Sequence, residues 1–493
     1  MYSSLRAASF CCFAVILFAA SAPQPQQTYD IVIQGGRVMD PESGLDAVRN
    51  VGIIGGAIRA ISAEPLQGRT TIEARNLVVA PGFIDLHEHA QAPPSYKFQA
   101  HDGVTTSLEL ELGTADVDQF YREREGKALI NFGVSAGHEP IRAQVLGAKP
   151  QELGAKPSDP ASFEAAAHRA ATEAELPQIR QRVDQELAKG ALAVGLGINY
   201  SPGATHPEIL DMFRVAARRG ALVDVHIRYA GLQEPETGLA ALDEVISDAA
   251  ATGAALNVVH VSSVGLAQTP ILMEVIAGAR QRGVDVSTEC YPYTAASTNL
   301  ESAIFDPGWQ QRLGISYGDL QWAATGERLT EQTFSKYRKQ GGMVVIHAIP
   351  EAAATACVSD PAVIVASDGV PITGPKIHPR GQGTFARVLR HYVREQHALT
   401  LMDALRKMTL MPARRLEAHV PMMRNKGRIR EGADADITIF DPATVIDKAT
   451  YDAPLQYSAG IQYVLVNGVP VIKDGQFVEG IFPGRAIRAP VAQ

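Results

Sequence analysis

The middle of the chain alternates short apolar runs with stretches in which apolar residues recur at helical spacing. One helical face carries Leu176, Ile179, Val183 and Leu187, and an apolar run at 191–195 follows it. This alternation continues over roughly 330 residues and predicts an α/β fold, a (β/α)8 TIM-like barrel with insertions. A doubly wound open sheet is the alternative. No glycine-rich nucleotide-binding fingerprint follows a strand, which counts against that alternative.

Both ends of the chain have a different pattern, in which short strands are separated by glycine-rich turns. Runs at 29–33 and 51–54 are apolar, 434–440 alternates polar and apolar residues, and 463–468 runs into a predicted hairpin turn. This pattern predicts one small β-sandwich domain built from both termini. The predicted boundaries are 23–80 for its N-terminal part, 81–418 for the barrel and 419–493 for its C-terminal part.

Two long segments interrupt the predicted barrel. The first, 139–175, contains a duplicated pentapeptide at 146–150 and 153–157, and we expect it to be a surface excursion without chemistry. The second, 300–342, contains both tryptophans and precedes a predicted barrel strand. A lid over the substrate and a decorative helical insertion are both open for this second segment.

Length and composition limit the number of domains and the classes of partner, but they do not indicate a function. With 493 residues the chain is longer than one hydrophobic core usually supports, so a large domain with a smaller one is expected. The net charge of -8 gives no reason to expect nucleic acid or an anionic membrane as a partner. Oligomeric state does not follow from these quantities.

The N-terminus has the pattern of a signal peptide over residues 1–22. Arg6 precedes the apolar run 7–20, and Ala20-Ser21-Ala22 has small residues at the spacing of a cleavage site. This predicts a periplasmic or secreted protein, with a retained N-terminal anchor as the lesser alternative. No later stretch is predicted to span a membrane.

Two cysteines would remain after removal of the signal peptide. Cys11 and Cys12 lie inside it, which leaves Cys290 and Cys357. Two cysteines are too few for a disulfide framework in a chain of this size, so buried thiols are expected. A single bridge in an oxidising compartment is the alternative.

The run from Pro81 to His89 ends in a His-x-His pattern. Residues i and i+2 of a strand point to the same face, so His87 and His89 can bind one metal ion. Two polar residues at an exposed strand end are the simpler alternative.

Polar residues also end four further apolar runs, where the loops of a parallel barrel carry chemistry. These residues are Glu111, His226, His260 and Asp368. Each alone could be a hydrogen-bonded strand end. Together with His87 and His89 they favour a metal site.

The motifs around these residues resemble the metal-dependent amidohydrolase superfamily, and within it the N-acyl-D-amino-acid deacylase (D-aminoacylase) branch. The resemblance covers nearly the whole chain after the signal peptide. The segments that carry it are 80–89, Gly103-Val104-Thr105-Thr106, Tyr291-Pro292-Tyr293-Thr294-Ala295, Ser367-Asp368-Gly369, His378-Pro379-Arg380, Gly383-Thr384-Phe385 and 432–436.

The resemblance implies the barrel with a small β-sandwich and a set of metal ligands. His87 and His89 would bind one ion, His226 and His260 a second, and Asp368 would lie beside the activated water. Zinc suits imidazole and carboxylate ligands, and cobalt or manganese could substitute in vitro.

At the position that bridges the two metal ions this sequence differs from the D-aminoacylase branch. A cysteine is common near the end of the strand after Gly-Val-Thr-Thr, but here that run holds Glu109 and Glu111. We favour Glu111 as the bridge because it lies nearer the strand end, with Glu109 second; pairing with a basic neighbour is the alternative for both. Residues 191–197 contain no lysine that could be carboxylated to form a bridge, and Lys189 precedes that strand. One and two metal ions both stay open.

The resemblance also implies the chemistry. Asp368 would act as general base and then general acid while activated water attacks an amide carbonyl. Arg380 offers a planar fork for a substrate carboxylate, with Tyr291 and Ser297 assisting.

The branch commonly has a lysine two residues after the second single histidine, where this chain has Ser262. That change leaves the preference for D-amino acids open. Arg228 is a further candidate cation in the site, or a structural ion-pair partner.

The expected function is therefore that of an exported zinc-dependent amidohydrolase acting on the linear amide of N-acyl-D-amino acids, a small-molecule substrate. A dipeptidase, a cyclic-amide hydrolase or an N-acyl-L-amino-acid hydrolase of the same superfamily is the alternative. An inactive amidohydrolase-like binding protein is a third hypothesis. The acyl group, the side chain and the stereochemistry are not predicted by the sequence.

Overall fold

The computed structural model describes residues 1, 27–149, 153 and 160–491. The predicted signal peptide, apart from Met1, and most of the second copy of the duplicated pentapeptide lie outside the described residues. The strands, in chain order, are β1 Thr28–Asp40, β2 Leu45–Ile54, β3 Ala57–Ser62, β4 Gln67–Glu73, β5 Val78–Pro81, β6 Phe83–Asp85, β7 Val104–Thr114, β8 Asn131–Gly137, β9 Ala193–Gly197, β10 Leu222–His226, β11 Ala255–Val258, β12 Val286–Cys290, β13 Ala296–Asn299, β14 Leu320–Trp322, β15 Met343–Ile346, β16 Ile364–Val365, β17 Ile437–Phe440, β18 Ile461–Val466, β19 Val469–Lys473 and β20 Gln476–Phe477.

Most of the helices alternate with these strands through the middle of the chain. They are α1 Ser95–His101, α2 Val117–Arg124, α3 His138–Val145, α4 Pro160–His168, α5 Leu176–Ala188, α6 His206–Arg219, α7 Gly238–Thr252, α8 Val261–Gly265, α9 Thr269–Gln281, α10 Trp309–Leu313, α11 Glu331–Gln340, α12 Glu351–Ser359, α13 Arg380–Arg387, α14 Leu401–Met408 and α15 Leu410–Leu416, and a π-helical segment at Val388–Glu395 extends α13.

Eight parallel strands form the predicted barrel. Their order is β6, β7, β8, β9, β10, β11, β12 and β16, and a bridge between Glu88 and Gly369 brings the two outer strands together. The strands are short and buried on both faces because helices cover the outside, which is why they read as continuous apolar runs. The barrel prediction is confirmed, and the open doubly wound sheet is not formed.

A nine-stranded sheet joins the two ends of the chain. β17–β20 continue through β5 and β1 to β2 and β3, while β4 pairs with the first half of β1. The sheet packs around its own apolar cluster, which includes Val38, Val51 and Ile437. The predicted hairpin is present, since β18 and β19 are joined at Asn467 and Gly468, both with positive φ.

The segment between β12 and β16 folds as a small unit at the mouth of the barrel. β13, β15 and β14 form an antiparallel sheet, and Trp309 stacks on Phe334 beside Phe305. Trp322 stacks on Tyr337. The aromatic cluster gives segment 300–342 an apolar core of its own. The segment between β12 and β16 is called the cap below.

Two further predictions concern membrane spans and cysteines. Among the described residues one helical stretch, Val261–Gln281, is long and apolar enough by composition to cross a membrane, which the sequence prediction did not include. Core helices meet the same criterion, and Leu272 and Ile276 are buried in the main apolar cluster of the barrel.

Cys290 and Cys357 are buried free thiols, as expected by default.

A buried ion pair joins the small sheet to the barrel. Lys426 Nζ lies 2.6 Å from Asp436 and 3.0 Å from Asp434. Asp436 also accepts hydrogen bonds from Asn131, at the start of β8, and from the backbone N–H of Asn467. The Gly-Ala-Asp-Ala-Asp motif is therefore a structural junction.

We expect Lys426→Met to destabilise the protein by about 3–5 kcal/mol, because it leaves two carboxylates without their buried cation. Chemical denaturation of this variant, compared with the exposed-site control Lys448→Met, measures the effect. Equal unfolding midpoints for the two variants would contradict the role assigned to Lys426.

Candidate metal centre and active site

The strand-end residues predicted from the sequence converge at one mouth of the barrel. His87 and His89 follow β6, Glu111 lies in β7, His226 ends β10, His260 follows β11 and Asp368 follows β16. Carboxyl ends of parallel strands meet at one face of a barrel, which explains how residues 281 positions apart in the sequence come together.

The first group of ligand atoms is formed by His87, His89, Glu111 and Asp368. His87 Nε2 lies 2.6 Å from Glu111 Oε2 and 3.2 Å from His89 Nε2. Asp368 Oδ1 lies 3.3 Å from His89 Nε2 and 3.4 Å from His87 Nε2. All four atoms therefore converge on one point.

The second group uses the other oxygen of the same carboxylate. Glu111 Oε1 lies 2.9 Å from His226 Nδ1 and 3.9 Å from His260 Nε2. Glu111 is the residue that the two groups share, and each of its oxygens faces one pair of histidines. This is the arrangement that a carboxylate bridging two cations requires.

The donor set fits zinc. Imidazole nitrogens and carboxylate oxygens are its usual ligands in proteins. Burial by itself would raise the pKa of Glu111, but His87, His226 and His260 outweigh it and hold that pKa well below its usual range. Glu111 is thus kept as a carboxylate, the form that binds a cation.

Two carboxylates outside the ligand groups contact the far nitrogens of the first pair. Glu289 Oε1 lies 2.6 Å from His87 Nδ1, and Glu109 Oε2 is in close contact with His89 Nδ1. Protonation of Nδ1 toward the carboxylate leaves Nε2 with a free lone pair facing the cluster. Glu109, the second candidate for the bridge, is therefore a partner of His89 and lies outside the two ligand groups.

Glu109 is itself held in place by the end of β7. Its Oε1 accepts hydrogen bonds from the backbone N–H groups of Leu112 and Gly113. Sequence reasoning missed Glu289, although its position at the end of β12 follows the same strand-end rule.

Backbone geometry shows that the site is tightly constrained. His260 and Asp368 have φ values of 31° and 53°, in the left-handed region that non-glycine residues rarely adopt. A Cβ at Gly195 would lie 2.3 Å from Glu111 O, and a Cβ at Gly369 would lie 2.0 Å from Glu88 Oε2. Gly195 of β9 thus lets the Glu111 backbone approach closely.

Arg380 forms a bidentate ion pair with Asp368. Its two terminal nitrogens each lie 2.8 Å from one Asp368 oxygen, and both side chains are buried. Burial alone would raise the pKa of Asp368, but Arg380 and His87 outweigh it and lower that pKa. In this arrangement Arg380 faces Asp368 at the metal ligands.

Of the other predicted substrate-binding residues, Tyr291 and Ser297 contact Arg380 and Arg228 does not. Tyr291 packs under Arg380, whose guanidinium carbon lies 4.8 Å from its ring centroid. Ser297 contacts Arg380 through its backbone oxygen, at 3.1 Å, while its hydroxyl donates to Val344 O. Arg228 does not reach the cluster, because its guanidinium pairs with Glu244 and donates to Ala204 O. The structure therefore favours the alternative given for Arg228, that of a structural ion-pair partner, over a role in substrate binding.

Two residues near the cluster were not predicted. Glu139, at the start of α3, is half-buried, and desolvation together with the negative charge of Glu111 raises its pKa to about 8. Tyr200 packs against the His226 ring at 5.0 Å and its hydroxyl lies 3.3 Å from Thr298 Oγ1. Glu139 is the first residue of 139–175, the segment expected to lack chemistry, and lies two residues after the end of β8.

Two cavities meet at this cluster. A narrow one of about 50 Å³ is lined by His226, His260, Arg380 and a group of apolar side chains, namely Val264, Leu266, Ile304, Leu313, Ile346 and Ile349. A wide one of about 1270 Å³ is lined at its inner end by His89 and Glu109. Tyr200 and Thr298 line both.

The chain is similar in sequence to known amide-hydrolysing proteins. A family model described as the amidohydrolase family matches residues 70–472. N-acyl-D-glutamate deacylase of Alcaligenes xylosoxydans xylosoxydans is 31% identical, over 94% of this chain and 97% of that protein. D-aminoacylase of the same organism is 27% identical, over 94% and 99%.

A solved structure extends the similarity to the fold. It is N-acyl-D-glutamate deacylase from Bordetella bronchiseptica, complexed with zinc and a phosphonate inhibitor that mimics the tetrahedral intermediate. It is 28% identical to this chain with a TM-score of 0.79, and the match covers 94% of this chain and all of that one.

We expect Glu111→Ala to reduce bound zinc from two ions to one or none, because both ligand groups lose their shared carboxylate. Elemental analysis of the purified protein measures this, with Glu431→Ala, at an exposed position, as the control. Retention of two ions by Glu111→Ala would show that Glu111 is not the bridge.

We expect Glu289→Ala to lower zinc affinity by about 10- to 100-fold, since His87 loses the partner that orients it. Glu289→Gln keeps an oxygen that can accept from Nδ1 and should recover part of the affinity. Competition with a chromophoric chelator provides the measurement. Wild-type affinity in the alanine variant would rule out a positioning role for Glu289.

Proposed function

The chain belongs to the amidohydrolase family and, within it, to the N-acyl-D-amino-acid deacylase branch, and on that premise we propose that it hydrolyses the linear amide bond of N-acyl-D-amino acids with zinc as its cofactor. The observation that carries the proposal is the position of Glu111 between two histidine pairs, with Asp368 and Arg380 alongside. Acid, base, metal ligands and a carboxylate-binding group are thus present within one buried cluster.

Zinc in this cluster would polarise the substrate carbonyl and make water acidic enough to act as a nucleophile near neutral pH. His87, His89, Glu111 and Asp368 would hold one ion, and Glu111, His226 and His260 a second.

Asp368 is the general base in this proposal. It accepts a proton from the attacking water at its carboxylate and then donates that proton to the leaving nitrogen. Its position at the ligand atoms of His87 and His89 places it next to the reacting carbonyl.

Arg380 links substrate binding to this base. Its guanidinium now pairs with Asp368 on both nitrogens and lowers the pKa of that carboxylate. A substrate carboxylate that competes for the same guanidinium would weaken the pair and make Asp368 a better proton acceptor. Tyr291 keeps the Arg380 plane fixed by stacking.

The narrow cavity supports a preference for apolar side chains. Among the residues that line it Arg380 is the only lysine or arginine, and Asp368 is already a carboxylate there. Apolar side chains such as Val264, Ile304 and Leu313 form about half of the remaining wall, and polar residues such as Asn199, Ser263 and the ligand histidines form the rest. A second carboxylate on the substrate would be buried there without a cation, which is costly. We therefore propose D-leucine-like substrates although the relative of highest identity above acts on N-acyl-D-glutamate.

Export is part of the proposal. The proposed location is the periplasm or the outside of the cell, and it is supported by the N-terminal charged and apolar pattern with its small-residue cleavage site.

The test is hydrolysis of N-acetyl-D-leucine, N-acetyl-L-leucine and N-acetyl-D-glutamate by zinc-loaded protein. We expect kcat/KM for N-acetyl-D-leucine to exceed both others by about 100-fold, and Asp368→Asn to lower kcat by about 10²- to 10⁴-fold.

Other outcomes separate the alternatives. Preference for N-acetyl-L-leucine would replace the proposal by N-acyl-L-amino-acid hydrolysis, and preference for N-acetyl-D-glutamate would overturn the apolar assignment. No hydrolysis after zinc is supplied would favour an inactive binding protein.

A further inference from the structure

The His378-Pro379-Arg380 motif contains a histidine that the proposed function does not use. His378 is fully buried, and both of its ring nitrogens are hydrogen-bonded. Nε2 donates to Ala295 O at 2.9 Å, and Nδ1 accepts from the backbone N–H of Arg380 at 3.1 Å. The ring therefore ties the backbone of Arg380 to the segment that leads into β13.

These two partners fix the protonation state of His378. A backbone N–H can only donate and a carbonyl oxygen can only accept, so the ring is neutral and carries its proton on Nε2. Burial and the charge of Arg380 both lower the pKa of His378 well below its usual value. The neutral ring, and with it the pair of hydrogen bonds, is therefore the state present at neutral pH.

Regular helix geometry does not hold the Arg380 backbone by itself. Arg380 is the first residue of α13, so its backbone N–H has no acceptor within the helix. Gly383 interrupts α13 with φ of -156° and ψ of 16°, which separates the turn that carries Arg380 from the rest of the helix. His378 Nδ1 supplies the missing acceptor for this turn.

The opposite side of the His378 ring reaches the segment against which the Arg380 side chain rests. Ser297 O accepts from the guanidinium, and the Tyr291 ring lies 4.8 Å from its central carbon. Both residues lie within four positions of Ala295, the acceptor of the His378 ring. His378 thus fixes the separation between the Arg380 backbone and the segment that supports its guanidinium.

Aromatic rings keep His378 in one orientation. The ring centroids of Tyr293 and Tyr451 each lie 5.2 Å from that of His378, at interplanar angles of 81° and 88°. Edge-to-face contacts of this kind are favourable and directional. The imidazole is therefore a rigid spacer between two parts of the site.

We propose that His378 is a positioning residue, which holds the Arg380 guanidinium where it receives the substrate carboxylate and so makes hydrolysis depend on a free carboxylate. The inference rests on the proposed function, because it concerns how Arg380 selects the substrate. Movement of the first turn of α13 would misplace the guanidinium, and misplacement by about 1 Å can cost about 10²-fold in rate. A substrate without a carboxylate makes no ion pair with Arg380 and would lose much less.

The test compares kcat/KM for N-acetyl-D-leucine and for N-acetyl-D-leucinamide, in which an uncharged amide replaces the carboxylate. Release of acetate measures both reactions. His378→Phe removes both hydrogen bonds and should lower the ratio of the acid value to the amide value by about 100-fold. A general loss of active protein would lower both values equally. The inhibition constant of D-leucine, the released product, should rise in parallel and does not depend on the amide.

Two further variants separate the hydrogen bonds and decide the matter if His378→Phe does not fold. An Asn oxygen can take the place of Nδ1 and a Gln amide nitrogen that of Nε2, so His378→Asn keeps the acceptor for Arg380 and His378→Gln keeps the donor to Ala295. We expect the acid-to-amide ratio of His378→Asn to exceed that of His378→Gln by about tenfold. Bound zinc should stay at the wild-type level in both.

The matched control is His419→Asn, because this half-buried imidazole also contacts a backbone carbonyl, Ala191 O, but lies at the amino end of β9. It should keep the wild-type ratio. If the wild type hydrolyses N-acetyl-D-leucine, a wild-type ratio in the His378 variants would overturn the positioning role and leave the proposed function standing. Equal ratios for His378→Asn and His378→Gln would also overturn it, as would failure of all three variants to fold. Failure of the wild type to hydrolyse N-acetyl-D-leucine would overturn both proposals.

Discussion

The site depends on one buried carboxylate, that of Glu111, whose two oxygens face two different pairs of histidines. The side chain is 1% exposed, so its charge must be balanced inside the protein. One oxygen lies 2.6 Å from His87 and the other 2.9 Å from His226. The strands that carry these residues, and the glycine of β9 against the Glu111 backbone, are placed to make that shared contact possible.

The charge balance around Glu111 explains why the cluster requires cations. Asp368, Glu109 and Glu289 are further buried acidic residues within contact of the ligand histidines, and Arg380 is the arginine that pairs with Asp368. Several carboxylates in a small volume of low dielectric repel each other unless positive charge lies between them. Metal ions at the two ligand groups supply that charge, and the histidines are held by Glu109 and Glu289 in the orientation that receives them.

Much of this could be predicted from the sequence because strand ends follow simple geometry. The His87 and His89 spacing, and apolar runs ending in Glu111, His226, His260 or Asp368, place side chains at one mouth of a barrel. Arg228 was misplaced because spacing from His226 does not show that Glu244, on the next helix, reaches the same guanidinium. Glu139 was missed because it was assigned to the insertion after β8, for which no chemistry was expected. Such errors concern which neighbour a side chain meets, and local patterns do not encode that.

The strand ends at the barrel mouth hold the residues proposed for the chemistry, and the segments around the mouth line the cavities. The strand ends hold the metal ligands and Asp368 in a constrained backbone, as the positive φ values of His260 and Asp368 show. The cap between β12 and β16 supplies Ile304 and Leu313 to the narrow cavity, and α11 of the same cap lines the wide cavity together with α2 and α4. Because these segments lie outside the barrel strands, their side chains can change the fit of either end of a substrate while Glu111 and its histidines stay in place.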